Sequence, residues 1–113
     1  MMPERADALS SASPVARALY EELLRVIAPF GAFEIEMKKS SIHLVRSSTF
    51  AEVHPRKQYL LITIKAAAPI PSGRIVKTEE VSTNRWQLDV KVSIAGDFDA
   101  ELVGWLREAY EIC

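Results

Sequence analysis

The sequence predicts a single α+β domain: a two-layer sandwich in which an N-terminal and a C-terminal helix pack on one face of a four- to five-stranded, mainly antiparallel sheet. Three observations predict it. Apolar residues recur at helical spacing near both ends of the 113-residue chain. Between them lie short runs that are alternating or wholly apolar, as strands are. The connections between those runs are too short for the crossover of about a dozen residues that a parallel return needs. Residues 59–64, Tyr-Leu-Leu-Ile-Thr-Ile, form the most apolar and β-branched run, of the length of a buried central strand.

Residues 1–12 read as a flexible lead, and residues 13–113 as the domain. Ser13 is placed to cap the first helix, and Pro14 fits its first turn, where a missing N–H costs nothing. Val15, Leu19, Leu23, Val26 and Ile27 form its apolar stripe, and Pro29 and Gly31 end it, with Phe30 plugging the end into the core. Residues 33–38 alternate apolar and charged side chains, as a short strand or an irregular lead-in. In the next strand, Ile42 and Leu44 face one way and His43 and Val45 the other. Ser47 and Ser48 then form a tight turn, residues 49–54 return, and Pro55 stops that strand by removing a donor.

The central strand follows, then a loop over residues 66–74 carrying Pro69, Pro71 and Gly73. Residues 75–82 are a weaker strand at an edge. Residues 86–94 alternate cleanly, with Trp86, Leu88, Val90, Val92 and Ile94 opposite Gln87, Asp89, Lys91 and Ser93. Gly96 breaks this strand and Asp97 caps the second helix, with Asp99 and Glu101 in a first turn that favours acids. Phe98, Leu102, Trp105, Leu106 and Ala109 form its stripe, and Trp105 and Leu102 are expected against Leu88 and Val90.

The net charge is −1, but its distribution is uneven. Lys38, Lys39, Arg46, Arg56, Lys57, Lys65, Arg74 and Lys77 face only Glu52 in the middle of the chain, whereas the end is acidic. A basic region of this kind attracts polyanions over long range if it forms one field, or, spread over both faces of a sheet, is a solvated surface that keeps the protein soluble. No apolar run approaches the roughly 20 residues of a membrane-spanning helix, and the first residues lack the basic start and apolar block of a secretory signal. The one cysteine, Cys113, has no partner for an internal disulfide. A cytoplasmic protein with no membrane attachment is expected.

The ordered pieces Leu-Tyr-Glu-Glu-Leu (19–23), Lys38-Lys39, Phe50-Ala51-Glu52-Val53 with Pro55-Arg56-Lys57, Asp-Val-Lys-Val (89–92) and Arg-Glu-Ala-Tyr-Glu (107–111) resemble an uncharacterised prokaryotic family, domain of unknown function 5655. The resemblance covers residues 14–112. Similar domains are known alone and as tails on nuclease-like proteins, which implies a nucleic-acid or defence context. The family pattern has a turn with glycine and histidine before its last strand, followed by Trp. Here Thr83-Asn84-Arg85-Trp86 keeps the tryptophan and lacks the others.

No Gly-rich phosphate loop, zinc-finger spacing or nucleophile elbow is present, so a binding domain without a cofactor is expected in place of an enzyme. Two sites compete. With Ser47-Ser48 as a two-residue hairpin loop, Arg46 pairs with Thr49 and Val45 with Phe50. The same count opposes His43 to Glu52 and Ser41 to His54. Val45, Phe50, Tyr59, Leu61, Thr63 and Lys65 then share an outward face, an apolar patch that a second copy or another partner protein would cover. Arg46, Arg56, Lys57 and Lys65 around it, with Phe50 and Tyr59 as stacking surfaces, suit weak binding of nucleic acid or another polyanion. Alternatively, His43, Glu52 and His54 cluster on that face as a metal or small-ligand site, which a three-residue loop would break.

Overall fold

The computed structural model describes residues 8–10 and 12–113. Helix α1 (Pro14–Ile27) is followed by strands β1 (Glu34–Met37), β2 (Ile42–Val45), β3 (Thr49–Pro55), β4 (Leu60–Ala66), β5 (Ile75–Ser82) and β6 (Arg85–Val92), and α2 (Ala100–Ile112) closes the chain. All strand pairs are antiparallel, in the order β1-β2-β3-β4-β6-β5. The architecture is the expected α+β one with six strands: the alternating run after Gly31 is a true edge strand. Both helices pack on the sheet and on each other. No helix among the described residues is long and apolar enough to cross a membrane.

The start of α1 follows its sequence signal. Ser13 Oγ accepts the N–H of Ala16 at 3.1 Å and donates to the carbonyl of Lys57 at 2.8 Å, so one side chain caps the helix and ties it to the β3–β4 turn. Within the stretch read as a lead, Ala8 is buried and its N–H donates to the Lys38 carbonyl at 2.9 Å. Residues 1–7 and 11, the rest of that stretch apart from residues 9, 10 and 12, lie outside the described residues.

The β2–β3 hairpin departs from the expected turn in an informative way. Ile42–Val53, His43–Glu52 and Leu44–Ala51 pair as the two-residue loop required, but Val45 pairs with Thr49. The loop therefore holds three residues, Arg46, Ser47 and Ser48, and Phe50 is the extra residue of a β-bulge. The bulge turns Phe50 inward beside Ala51, both fully buried, where the sequence reading had placed Phe50 on the outer face. A pair of serines lacks the left-handed residues that a two-residue hairpin demands, and a Phe gains far more from burial than from water.

Phe50 packs edge-on against Phe33 and Tyr110, with ring centres 6.1 and 5.3 Å apart. The Tyr110 hydroxyl donates to the Ala32 carbonyl at 2.8 Å. Arg46 donates to the Tyr110 carbonyl at 3.0 Å, and its guanidinium stands 4.5 Å from the ring centre of the same tyrosine. The N–H groups of Ser47 and Ser48 both donate to the Cys113 carbonyl at 3.1 Å. The hairpin loop thus caps the end of α2, satisfying carbonyls that the helix leaves open.

The cap of α2 is Asp99, which accepts the Leu102 N–H at 3.0 Å; the expected cap, Asp97, ends a separate 3₁₀ turn (Ala95–Asp97). Asp97 instead accepts the N–H groups of Ser93 and Ile94 with one carboxylate oxygen. Leu102 and Leu106 are fully buried, while Trp105 is only partly so and lies 5.7 Å under the Arg74 guanidinium. The docking of α2 therefore rests on its leucines more than on the tryptophan.

The long edge strand β5 is defended. It carries bulges at Val76 and Val81 and the charges of Lys77, Glu79 and Glu80, devices that discourage edge-to-edge pairing. It joins β6 through Thr83 and Asn84, the latter left-handed at φ 59°, a conformation that asparagine adopts more readily than most side-chain-bearing residues.

Candidate functional site on the open sheet face

Six strands and two helices on one face leave the other face open. Its side chains follow from register. Glu36 lies opposite His43, His43 opposite Glu52, Glu52 opposite Thr63, Thr63 opposite Asp89, and Asp89 opposite Lys77. Every strand contributes one polar residue to this row. Beside it run His54, Leu61 and Lys91.

At the centre sits Glu52. His43 Nε2 is 3.8 Å and His54 Nε2 3.7 Å from the same Glu52 oxygen, Oε1. All three side chains are about three-quarters withdrawn from solvent, with exposures of 23–26%. Both gaps exceed hydrogen-bond length, so the carboxylate has imidazoles on two sides and no direct donor from either. Next in the row, buried Thr63 is satisfied: its hydroxyl donates to Asp89 Oδ1 at 2.8 Å. Burial pushes the His54 pKa below its ordinary value, and Arg56 and His43 push the same way; Glu52 and Asp89 oppose without overcoming it. His54 is therefore neutral at pH 7, with one nitrogen to donate and one to accept.

Glu52, His54 and Arg56 form one bank of a shallow groove of about 260 Å³, with Thr63 and Asp89 on its floor and Lys77 on the far bank. The predicted trio of His43, Glu52 and His54 is thus brought together although the loop has three residues, because the bulge at Phe50 restores the register beyond it. Among the described residues, no group of three or more His, Cys, Asp or Glu side chains is arranged to hold a metal ion.

The other predicted residues scatter. Phe50 is in the core and Arg46 is engaged at the end of α2. Tyr59 is half-buried, with Lys91 Nζ 4.5 Å from its ring centre. Arg56 and Lys57 are exposed on the β3–β4 turn, and Lys65 lies near the far end of β4, roughly 25 Å away along extended chain. Arg74 is bound to Asp99, Glu101 and the Asp97 carbonyl at 2.7–3.1 Å. The basic residues are therefore divided between the two ends of the sheet and do not form one field, the alternative of a spread, solvated surface being the one that fits them.

Of the other groove residues, Thr63 stands in the sequence reading only as a member of the outward face and Lys77 only as one of the basic residues, while Asp89 and Gln87 are not singled out as site residues. The polar side of the 86–94 alternation was a signal for Asp89 and Gln87, but only the strand order, which places β6 beside β4, joins them to Glu52.

A family model described as a domain of unknown function (DUF5655) matches residues 6–112 of the chain. No curated protein and no solved structure gives a significant match.

Proposed function

The chain belongs to the domain-of-unknown-function family DUF5655, and from that premise we propose that it is a small binding domain whose ligand sits on the open sheet face, over Glu52. One observation carries this reading. Glu52 Oε1 belongs to a partly exposed carboxylate flanked by two imidazoles, at 3.7 and 3.8 Å, too far for a direct hydrogen bond from either. A ligand donor placed between them would gain a charge-assisted hydrogen bond to this oxygen. Neutral His54 adds a second donor–acceptor position, and Thr63 with Asp89 a polar floor. The fitting ligand is small and rich in donors, such as an amine, amide or polyol.

Self-association through this face, the sequence expectation, counts Val45, Phe50, Tyr59 and Leu61 as its apolar members. With the Phe50 ring in the core, Val45, Tyr59 and Leu61 remain, each half-buried in a polar surface. The balance favours a polar ligand over a second copy.

The test is a two-dimensional NMR titration with amine, amide and polyol fragments. Shifts should centre on His43, Glu52, His54 and Thr63, and Glu52→Gln should weaken them about tenfold, as loss of a charge-assisted acceptor does. Shifts spread evenly over the surface, no shifts, or a response that Glu52→Gln leaves unchanged would each rule the reading out.

A further inference from the structure

Of the eight basic residues between Lys38 and Lys77, several are committed elsewhere: Lys38 to Glu36, Arg46 to α2, and Arg74 to Asp99 and Glu101. Three converge. Lys39 on the β1–β2 loop and Arg56 and Lys57 on the β3–β4 turn line one cavity of about 440 Å³ at the end of the sheet, together with Ser13 and Ser40. Among the described residues, no acidic side chain lines it. None of the three cations pairs with a carboxylate among the described residues.

Both turns are pinned by their backbones. The Lys38 N–H donates to the Ser41 carbonyl and the Lys38 carbonyl accepts from Ala8, each at 2.9 Å. Arg56 donates through its N–H to the Tyr59 carbonyl at 2.9 Å, and the Lys57 carbonyl accepts from Ser13 Oγ. Fixed turns hold the backbones that carry the three side chains at one cavity before any ligand arrives, which lowers the entropy cost of binding an anion there. Arg56 has a second role: it lines the open-face groove as well. The two depressions therefore share a wall, and that wall is a planar cation suited to gripping phosphate oxygens in pairs.

We infer that the basic cavity is a phosphate subsite, and that the ligand is a small phosphate ester whose phosphate lies among Lys39, Arg56 and Lys57 while its donor-bearing body reaches over Arg56 into the groove. The inference rests on the reading of the groove given above, and its test separates the two.

Inorganic phosphate titrated into the isotope-labelled protein should shift Lys39, Ser40, Arg56 and Lys57. The double variant Lys39→Ala/Lys57→Ala should weaken that response about tenfold or more. Glu52→Gln should leave it intact, so a failed groove and a failed phosphate subsite give different results. Glucosamine 6-phosphate should bind at least about tenfold more tightly than either glucosamine or inorganic phosphate, since one ligand would then engage both depressions. Equal shifts at Lys65 and Arg85, at the other end of the sheet, would mean an unspecific ion atmosphere and overturn the inference. So would additive-free affinity, in which the sugar phosphate binds no better than phosphate alone. A single-stranded 20-mer binding with a steep salt slope, roughly −0.7 per phosphate neutralised, would replace it with a polyanion track.

Discussion

Strands β3 and β4 present two faces built from alternate residues of the same segments, and the faces are specified in different ways. On the core side stand Phe50, Ala51, Val53, Ile62 and Ile64, all essentially without exposure. On the open side stand Glu52, His54, Leu61 and Thr63, which meet residues of β2 and β6 across the ladder. The core face is an energetic sum, in which each apolar side chain contributes by leaving water and its identity matters through volume. The open face is a matter of alignment. Glu52 meets His43 only in one register, and a slip by one residue would exchange the faces. A face held by burial tolerates conservative change, whereas a face held by register is lost all at once.

The sharpest way to break this contrast is to truncate both faces. Phe50→Ala should cost about 3–5 kcal/mol, because the ring fills the space between Phe33 and Tyr110. Leu61→Ala, on the open face of the adjacent strand, should cost about 1 kcal/mol. Guanidinium midpoints measure both; equal losses would show that the open face is packed as tightly as the core. An intermediate effect is expected at Gly31, whose φ of +135° disfavours any side chain and whose added Cβ would stand 2.6 Å from the Tyr110 hydroxyl. That hydroxyl cannot move away without losing the Ala32 carbonyl, so Gly31→Ala should cost about 1–3 kcal/mol in the same assay.

The smallest effect belongs to the open face and depends on pH. The folded pKa of His54 lies below its unfolded value near 6.5, so between the two the unfolded chain binds the extra proton. Stability should therefore fall as pH drops below about 6.5 and through the folded pKa, and should gain nothing further from this group above 6.5. Urea midpoints at pH 7.5 and 5 should differ less in His54→Gln than in the parent, and an unchanged difference would assign the pH dependence to other groups.

The sequence carried the layers of this fold well. Ser13-Pro14 marked the start of α1 and the 86–94 alternation marked β6, whereas His43, Glu52 and His54 come together only because the bulge at Phe50 offsets the three-residue loop that the count from the serines did not foresee. It failed where a local signal competes with a long-range one. Phe50 lies on the outer side by strict alternation, and only its contacts with Phe33 and Tyr110, distant in sequence, explain the bulge. The spread of the basic residues is illegible for a similar reason: linear proximity of Arg46 to Arg56 says nothing about one residue serving a helix end and the other a turn at the opposite end of β3. The sequence reading puts the cap of α2 at Asp97, two residues before the true cap Asp99, because Asp97 ends a 3₁₀ turn that no spacing rule marks.

The bulge at Phe50 also makes turn length and strand phase separate variables. A hairpin without it transmits any inserted residue down the whole returning strand, so that a change at the tip rewrites every cross-strand pair. Here the extra loop residue is absorbed within one step of the tip, and the ladder from Leu44–Ala51 onward runs as if the turn were shorter. The tip is thereby free to answer to α2, reaching the Cys113 carbonyl with two N–H groups and Tyr110 with Arg46, while the row through His43 and Glu52 keeps its alignment. The hairpin behaves as a mechanical coupling with slack at one joint, serving a helix on one side of the sheet and a recognition surface on the other without forcing either to follow the other's changes.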